Sequence, residues 1–250
     1  MKLFDANAWT GSWPFSLGAS HDVRSLAAEL KRYAIDDALV SPLGAVFAPE
    51  PGPANRVLLH ESRGLSGIVP VPVINPTLAN WRDELAACAA DDRVRAVRVL
   101  PSYHGFRLKS RAVVALMDQL ETLQLRLIVQ ARLIDERHEF HALKIKAVPL
   151  VELAVLLRRC ASRPVLVCGL LRSEIFELAP AHPNLICDLS FAEWLDTVPE
   201  LRKKATVEQL VFGSNTPLLM PGAQVEKVQT ARSAERTAVA RGNLQRFLRG

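Results

Sequence analysis

The chain has 250 residues, enough for a full hydrophobic core, and its 49% hydrophobic and 23% charged residues exclude a disordered or fibrous protein. A net charge of +5 arises from 31 Lys and Arg against 26 Asp and Glu, scattered without a basic block, which argues against nucleic acid as a partner. No apolar run reaches the length of a membrane span and no signal-peptide core precedes the first strand candidate, so no membrane contact and a cytoplasmic location are expected.

The first strand candidate is Leu3–Trp9. Its period of two places Asp5, Asn7 and Trp9 on one face and Phe4, Ala6 and Ala8 on the other. Small and apolar residues suit contact with helices, so the polar set is expected to be luminal. Trp13 and Phe15 follow around Gly11 and Pro14 and, with Trp9, would either wall an aromatic pocket or plug the mouth. Asp22 to Tyr33 has helical period, with Val23, Leu26, Ala27 and Leu30 on one face. After the strand Asp37–Ser41, a Pro-rich turn at 49–53 leads to a short surface helix from Asn55 to Arg63 that carries His60 away from any site. The strand Ile68–Asn75 contains prolines, and Asn75 is either a substrate contact or a turn former. The strand Arg95–Leu100 holds Arg98 among apolar residues, and Ser102, Tyr103 and His104 follow it. A helix at Arg111–Leu123 precedes the strand Leu125–Arg132, where Gln130 and Arg132 share a face. The polar stretch after it includes Asp135, Glu136, His138 and His141, and Pro149 opens the next helix. The strands Val165–Cys168, Leu185–Ser190 and Gln209–Gly213 complete the set, with Asp188 paired in phase with Ser190, and Gly213 with Asn215.

Eight strands alternating with helical segments imply a parallel sheet with helical crossovers. In one chain of this length the expected fold is a single α/β domain over residues 1–250, a (β/α)8 TIM barrel. The doubly wound open sheet is the alternative, but the chain has no Gly-x-Gly-x-x-Gly after the first strand. Polar residues gather at the C-terminal ends of the strands, where barrel enzymes build their sites.

Arg98 in a barrel strand needs a partner or a ligand, because an unpaired buried charge is costly. One reading is an anion pocket in which Arg98 and Arg132 hold a carboxylate or phosphate while His104, His138 or His141 moves protons. The other is a luminal salt-bridge network with Asp5, Asp188 or Asp135. His138 and His141, three apart beside Asp135 and Glu136, also allow a divalent ion such as zinc at a non-standard loop site, although the zincin spacing is absent. Cys168 is either a nucleophile beside a histidine or core, and the four cysteines, lacking CxxC spacing, are expected as reduced thiols.

Asp5-Ala6-Asn7-Ala8-Trp9-Thr10-Gly11 and Phe212-Gly213-Ser214-Asn215-Thr216-Pro217 resemble the opening and closing signatures of the amidohydrolase-related metal-dependent hydrolases, and Gly242–Leu248 is similar to the last helix of such barrels. The resemblance runs from Asp5 nearly to the end of the chain. It implies histidines at positions 7 and 9, further histidines on the fifth and sixth strands and an Asp at 215. The matching places carry Asn7, Trp9, Gln130 or Arg132, Cys168 and Asn215. The expectation is therefore a barrel without the family's metal site and without a cofactor, since neutral amides bind such cations poorly. Its catalytic candidates are His104, His138, His141 and Asp188. Its binding candidates are Asn7, Trp9, Trp13, Asn75, Arg98, Tyr103, Gln130, Arg132 and Asn215. The expected activity is a hydrolase-type or related transformation of a small anionic metabolite, with an inactive ligand- or partner-binding barrel as the alternative and a homo-oligomer left open.

Overall fold

The computed structural model describes residues 2–15, 20–135, 140 and 142–249. Eight parallel strands form the scaffold: β1 (Leu3–Ser12), β2 (Ile35–Pro42), β3 (Ile68–Pro70), β4 (Ala96–Val99), β5 (Arg126–Gln130), β6 (Val165–Cys168), β7 (Leu185–Asp188) and β8 (Leu210–Val211). A two-residue strand, Ser20–His21, lies antiparallel on the end of β1. β1 to β3 pair in sequence, as do β4 to β8. Two junctions close the ring. Arg98 N donates to Pro72 O at 2.8 Å and Ile74 N to Arg98 O at 2.9 Å, which joins β3 to β4. Ala6 N donates to Phe212 O at 2.9 Å and Trp9 N to Thr216 O at 2.8 Å, which joins β8 to β1. The predicted closed barrel is the observed fold.

Helices at Val23–Arg32, Gly52–Glu61, Trp81–Ala89, Arg111–Thr122, Leu150–Arg159, Arg172–Leu178 and Thr197–Leu201 connect successive strands. Local chemistry sets several of their starts. Asp22 caps the first by accepting from Ser25 N at 2.7 Å, Ser110 caps the fourth through Val113 N, and Pro149 stands at the N-cap of the fifth.

Two expectations fail locally. The helix expected on the surface from Asn55 begins at Gly52, and Asn55 is buried. Its amide donates to Val73 O and its Oδ1 accepts from Val73 N, each at 2.8 Å. The prolines at 70 and 72 carry no N–H, so β3 ends early, and Asn55 satisfies the backbone where the ladder lapses. On β1 the register shifts between Asp5 and Ala8. Phe4 and Ala6 therefore pack with Leu39, Ile128, Leu166 and Val211, in phase with the other inward residues, instead of facing the helices.

The barrel interior is layered. Phe4, Ala6, Leu39, Ala96, Ile128, Leu166 and Ile186 form an apolar floor, which Leu244 and Phe247 of the C-terminal helix join. One alternation further along the strands come Arg98, Gln130 and Asp188, with Asn7 and Asn215 beside them. Above these lies a second apolar cluster built from Trp9, Trp13, Leu43, Val73, Leu100 and Leu133. The polar layer is thus enclosed by hydrocarbon on both sides.

Candidate functional site

The luminal polar layer is assembled by β1, β4, β5, β7 and the turn after β8. Asn7, Trp9, Arg98, Asp188 and Asn215 are fully buried, and Gln130 nearly so. Asn7 Nδ2 donates to Asp188 Oδ2 at 3.0 Å and lies 3.4 Å from Asn215 Oδ1, so positions 7 and 215 share one end of the barrel. The Trp9 indole N–H reaches Asn7 Oδ1 at 3.0 Å and Asn215 Oδ1 at 3.1 Å. Asn215 takes φ 53°, a left-handed conformation that Asn tolerates better than most residues, and its amide donates to Leu133 O at 2.9 Å.

Arg98 occupies the middle of this set. Its Nη1 donates to Asn7 Oδ1 at 2.6 Å and to Gln130 Oε1, its Nη2 lies 3.3 Å from Ala6 O, and its Cζ lies 4.5 Å from the centre of the Trp9 ring. The acceptors are neutral amide and peptide oxygens, and among the described residues Arg98 has no ion pair and its buried Nε no acceptor. Burial lowers its affinity for the proton, while Cys168, Asp188 and Asp5 oppose that shift.

Two buried carboxyls, Asp188 in the lumen and Asp5 behind β1 on the opposite face from Phe4 and Ala6, are held by donors. Asp5 accepts from Asn7 N at 2.9 Å, Ser214 N at 2.8 Å and the Ser214 hydroxyl. Burial nevertheless pushes its pKa up to about 6. Asp188 accepts from Asn7 Nδ2, from Gly169 N at 2.8 Å and from Ser190 Oγ at 2.6 Å, and burial raises its pKa as well. Glycine is required at 169, where φ is +83° and an added Cβ would lie 2.1 Å from Arg132 O.

Arg132 corrects the expected anion clamp. Its guanidinium meets the carboxylate of Glu174 at 2.9 and 3.0 Å and also donates to Gly169 O at 2.8 Å. Glu174 thus fills the two-point face meant for a ligand, and Arg98 lies sealed beneath Trp9. In the alternative network of Asp5, Asp188 or Asp135, neither Asp5 nor Asp188 forms an ion pair with Arg132 among the described contacts. Glu174, which also accepts from Leu171 N at 2.7 Å, was missed. An acid at the first turn of a helix is a visible signal, but it points to helix capping and not to a strand arginine.

The other candidates divide. His104 Nε2 bonds to Ala45 O at 3.0 Å, and burial lowers its pKa, so its hydrogen bond ties two loops together instead of entering the polar layer. Asn75 accepts from Thr77 N at 3.1 Å and Thr77 Oγ1 at 2.7 Å, the geometry of a turn former. Trp13 lies 5.3 Å from the Phe47 ring, which lies 5.5 Å from Tyr103, so both belong to the apolar cover of the mouth. Cys168 is fully buried, and burial holds its thiol well above the usual range, as suits core and not a nucleophile. His138 and His141 lie outside the described residues. Among the described residues, no three His, Cys, Asp or Glu side chains converge as a metal-binding group.

A cavity of about 230 Å³ opens at the C-terminal ends of β6 and β7, bounded by Arg172, Ser173, Ser190, Phe191, Glu193 and Leu219 among others. Arg172 Nη1 donates to Glu200 at 2.8 Å, and its Cζ lies 4.2 Å over the Trp194 ring. Beside the cavity, buried Lys227 donates to Leu189 O, Ser190 O and Glu193 at 3.1, 2.9 and 2.7 Å, which fixes the segment carrying Ser190. Ser190 therefore links this cavity to Asp188 in the enclosed layer.

The family profile described as Amidohydrolase matches residues 5–250. Among solved structures, 5-carboxyvanillate decarboxylase LigW from Sphingomonas paucimobilis is 13% identical over 99% of both chains, with a TM-score of 0.77. The 2,6-dihydroxybenzoate decarboxylase from Rhizobium is 13% identical over 99% of this chain and 98% of its own, with a TM-score of 0.73. A dihydroxybenzoic acid decarboxylase from Polaromonas, solved with manganese and the inhibitor 2-nitroresorcinol, is 11% identical over 99% of this chain and 96% of its own, with a TM-score of 0.69. At these identities the likeness shows the fold alone. No curated protein matches the sequence.

Proposed function

We propose, from the premise that this chain belongs to the amidohydrolase family, that its working site is the cavity over β6 and β7, and that it transforms a small hydroxylated aromatic acid by proton transfer without a metal ion. The observation that carries this reading is the 2.6 Å bond from Ser190 Oγ to Asp188 Oδ2, which connects a buried carboxyl to the cavity wall.

The family's metal does not fit the residues at its matching places. Asn7 Oδ1 accepts from Arg98 and Trp9, Gln130 Oε1 accepts from Arg98, and Asn215 Oδ1 accepts from Trp9. An indole and a neutral thiol at positions 9 and 168 add no anionic donor.

The chain's own groups suffice for acid/base work. Asp188, with its proton affinity raised by burial, gives up a proton less readily than an exposed aspartate does. The Ser190 hydroxyl donates to Asp188 at the buried edge of the cavity, so proton exchange with a ligand requires Ser190, which has no exposed surface, to be uncovered. Arg172 carries about five N–H donors, of which one serves Glu200, and the rest suit a carboxylate. Leu171, Phe191 and Leu219 give the walls apolar surface for a ring. In size, the cavity exceeds the engineered space of about 150 Å³ that accommodates benzene. The aromatic acids named for the structural neighbours belong to the same ligand class.

A non-catalytic binding barrel is the second reading. It is favoured by the complete burial of Asn7, Trp9, Arg98 and Asn215, which removes the lumen from contact with any ligand.

Thermal shift against a panel of hydroxybenzoates, with product analysis by mass spectrometry, tests both readings. A ligand at about 100 times its Kd should stabilise the protein by about 2.7 kcal/mol, a rise of roughly 5–10 °C for a chain of this size. Arg172→Ala should abolish the shift, and Ser190→Ala should keep it while stopping conversion. No shift with any acid, or shifts indifferent to Arg172→Ala, would remove the cavity from consideration. Binding without conversion of any acid would leave the second reading.

A further inference from the structure

At three of the places where the resemblance puts metal ligands, the side chains Asn7, Gln130 and Trp9 turn toward one guanidinium. Arg98 Nη1 touches Asn7 Oδ1 at 2.6 Å and also Gln130 Oε1, two of the places where the resemblance puts metal ligands. Trp9, a third such place, offers its ring face to the same cation with 4.5 Å between Cζ and the ring centre, while its indole N–H ties Asn7 to Asn215. Cys168, a fourth, is oriented toward Ala6 O, which also receives Arg98 Nη2. An aromatic face and amide oxygens are acceptors for a delocalised, weakly hydrated cation. They are poor ligands for a small divalent one.

We infer that Arg98 is an internal cation standing in the place of the family's metal, and that the luminal residues at the matching positions form a binding site for its guanidinium. The substitutions at 7, 9 and 130 are then one coordinated change. Amide oxygens replace imidazole nitrogens because N–H donors must now be accepted, and an indole replaces an imidazole because the cation presents a flat face. The positive charge sits in the enclosed layer that also holds Asp188, with buried Asp5 close enough to act on it, so it balances carboxylate charge without a direct ion pair. This inference shares the buried Asn7–Asp188 contact with the ligand reading above, and its test reads Arg98 alone.

Chemical rescue tests it. Arg98→Ala leaves a guanidinium-sized space lined by Asn7, Gln130 and Trp9. Its melting temperature should fall by about 10 °C and should recover by several degrees in roughly 20 mM guanidinium, far below denaturing concentrations. Urea, with the same shape and no charge, should give no recovery, and neither should sodium chloride at equal ionic strength. Recovery by urea as large as by guanidinium, no recovery by either, or a larger recovery by zinc or manganese would overturn the inference. Where Arg98→Ala fails to fold, the comparison of Arg98→Lys with Arg98→Met decides. The lysine variant, which keeps the charge, should melt several degrees above the methionine variant, which keeps only the stem. The reverse order would show that the site needs volume and not a cation.

Discussion

Trp9→Ala should lower stability by about 3–5 kcal/mol, seen as a shift of the urea midpoint with little change in slope. Trp9 is fully buried and sits between the polar layer and the apolar cover, so its removal opens a large cavity at the point where the two meet. Two further losses add to the cavity. Arg98 loses the ring face 4.5 Å away, and the bridge from the indole N–H to both Asn7 and Asn215 disappears. Trp9→Phe separates these effects, because it keeps most of the packing and removes the N–H. It should cost about 1–2 kcal/mol, the usual price of one lost buried hydrogen bond. A Trp9→Ala protein within about 1 kcal/mol of the native chain would show that the cover above the polar layer is loosely packed.

Arg132→Ala should be comparably damaging, at about 3–5 kcal/mol, because it leaves the Glu174 carboxylate uncompensated in a largely buried setting. The same change frees Gly169 O, whose residue cannot adjust because its backbone already passes close to Arg132 O. Glu174→Ala should cost less, since Glu174 is the more exposed partner, although Leu171 N also loses its acceptor. A double-mutant cycle should give a coupling on the order of 1–3 kcal/mol. Replacing both partners by Met and Leu should recover most of the loss, since apolar pairs of similar volume often match buried ion pairs. A coupling near zero would return Arg132 to the list of ligand-binding candidates.

Much of the barrel was legible because its signals are local and repeated. Apolar strands separated by amphipathic helices and Pro149 at a helix start are each readable from a few neighbouring residues. The inward polar row at Asn7, Arg98, Gln130, Asp188 and Asn215 was also legible, since the period of two is fixed by the pleat. What escaped depends on contacts between distant segments. The bulge on β1 breaks the alternation at Phe4 and Ala6, and no residue there announces it. Asn55 serves the backbone of Val73, 18 residues away, because prolines interrupt β3, so its role appears only when helix and strand are placed together. Arg132 pairs across 42 residues with Glu174. Sequence offered several acids as partners, and only the path of the turn after β6 selects this one. Lys227 was silent for the same reason, since a lysine in the last turn of a helix reads as solvated until its three acceptors around Ser190 come into view.

The sharpest test is the metal content of the native protein, purified without chelators from cells grown with ample zinc and manganese. If Arg98 fills the cation position, the purified chain should carry well under one ion per molecule, and its melting temperature should be unchanged by EDTA or by added zinc or manganese. Near-stoichiometric zinc or manganese, lost together with several degrees of stability on replacing Asn7 or Asn215, would contradict it.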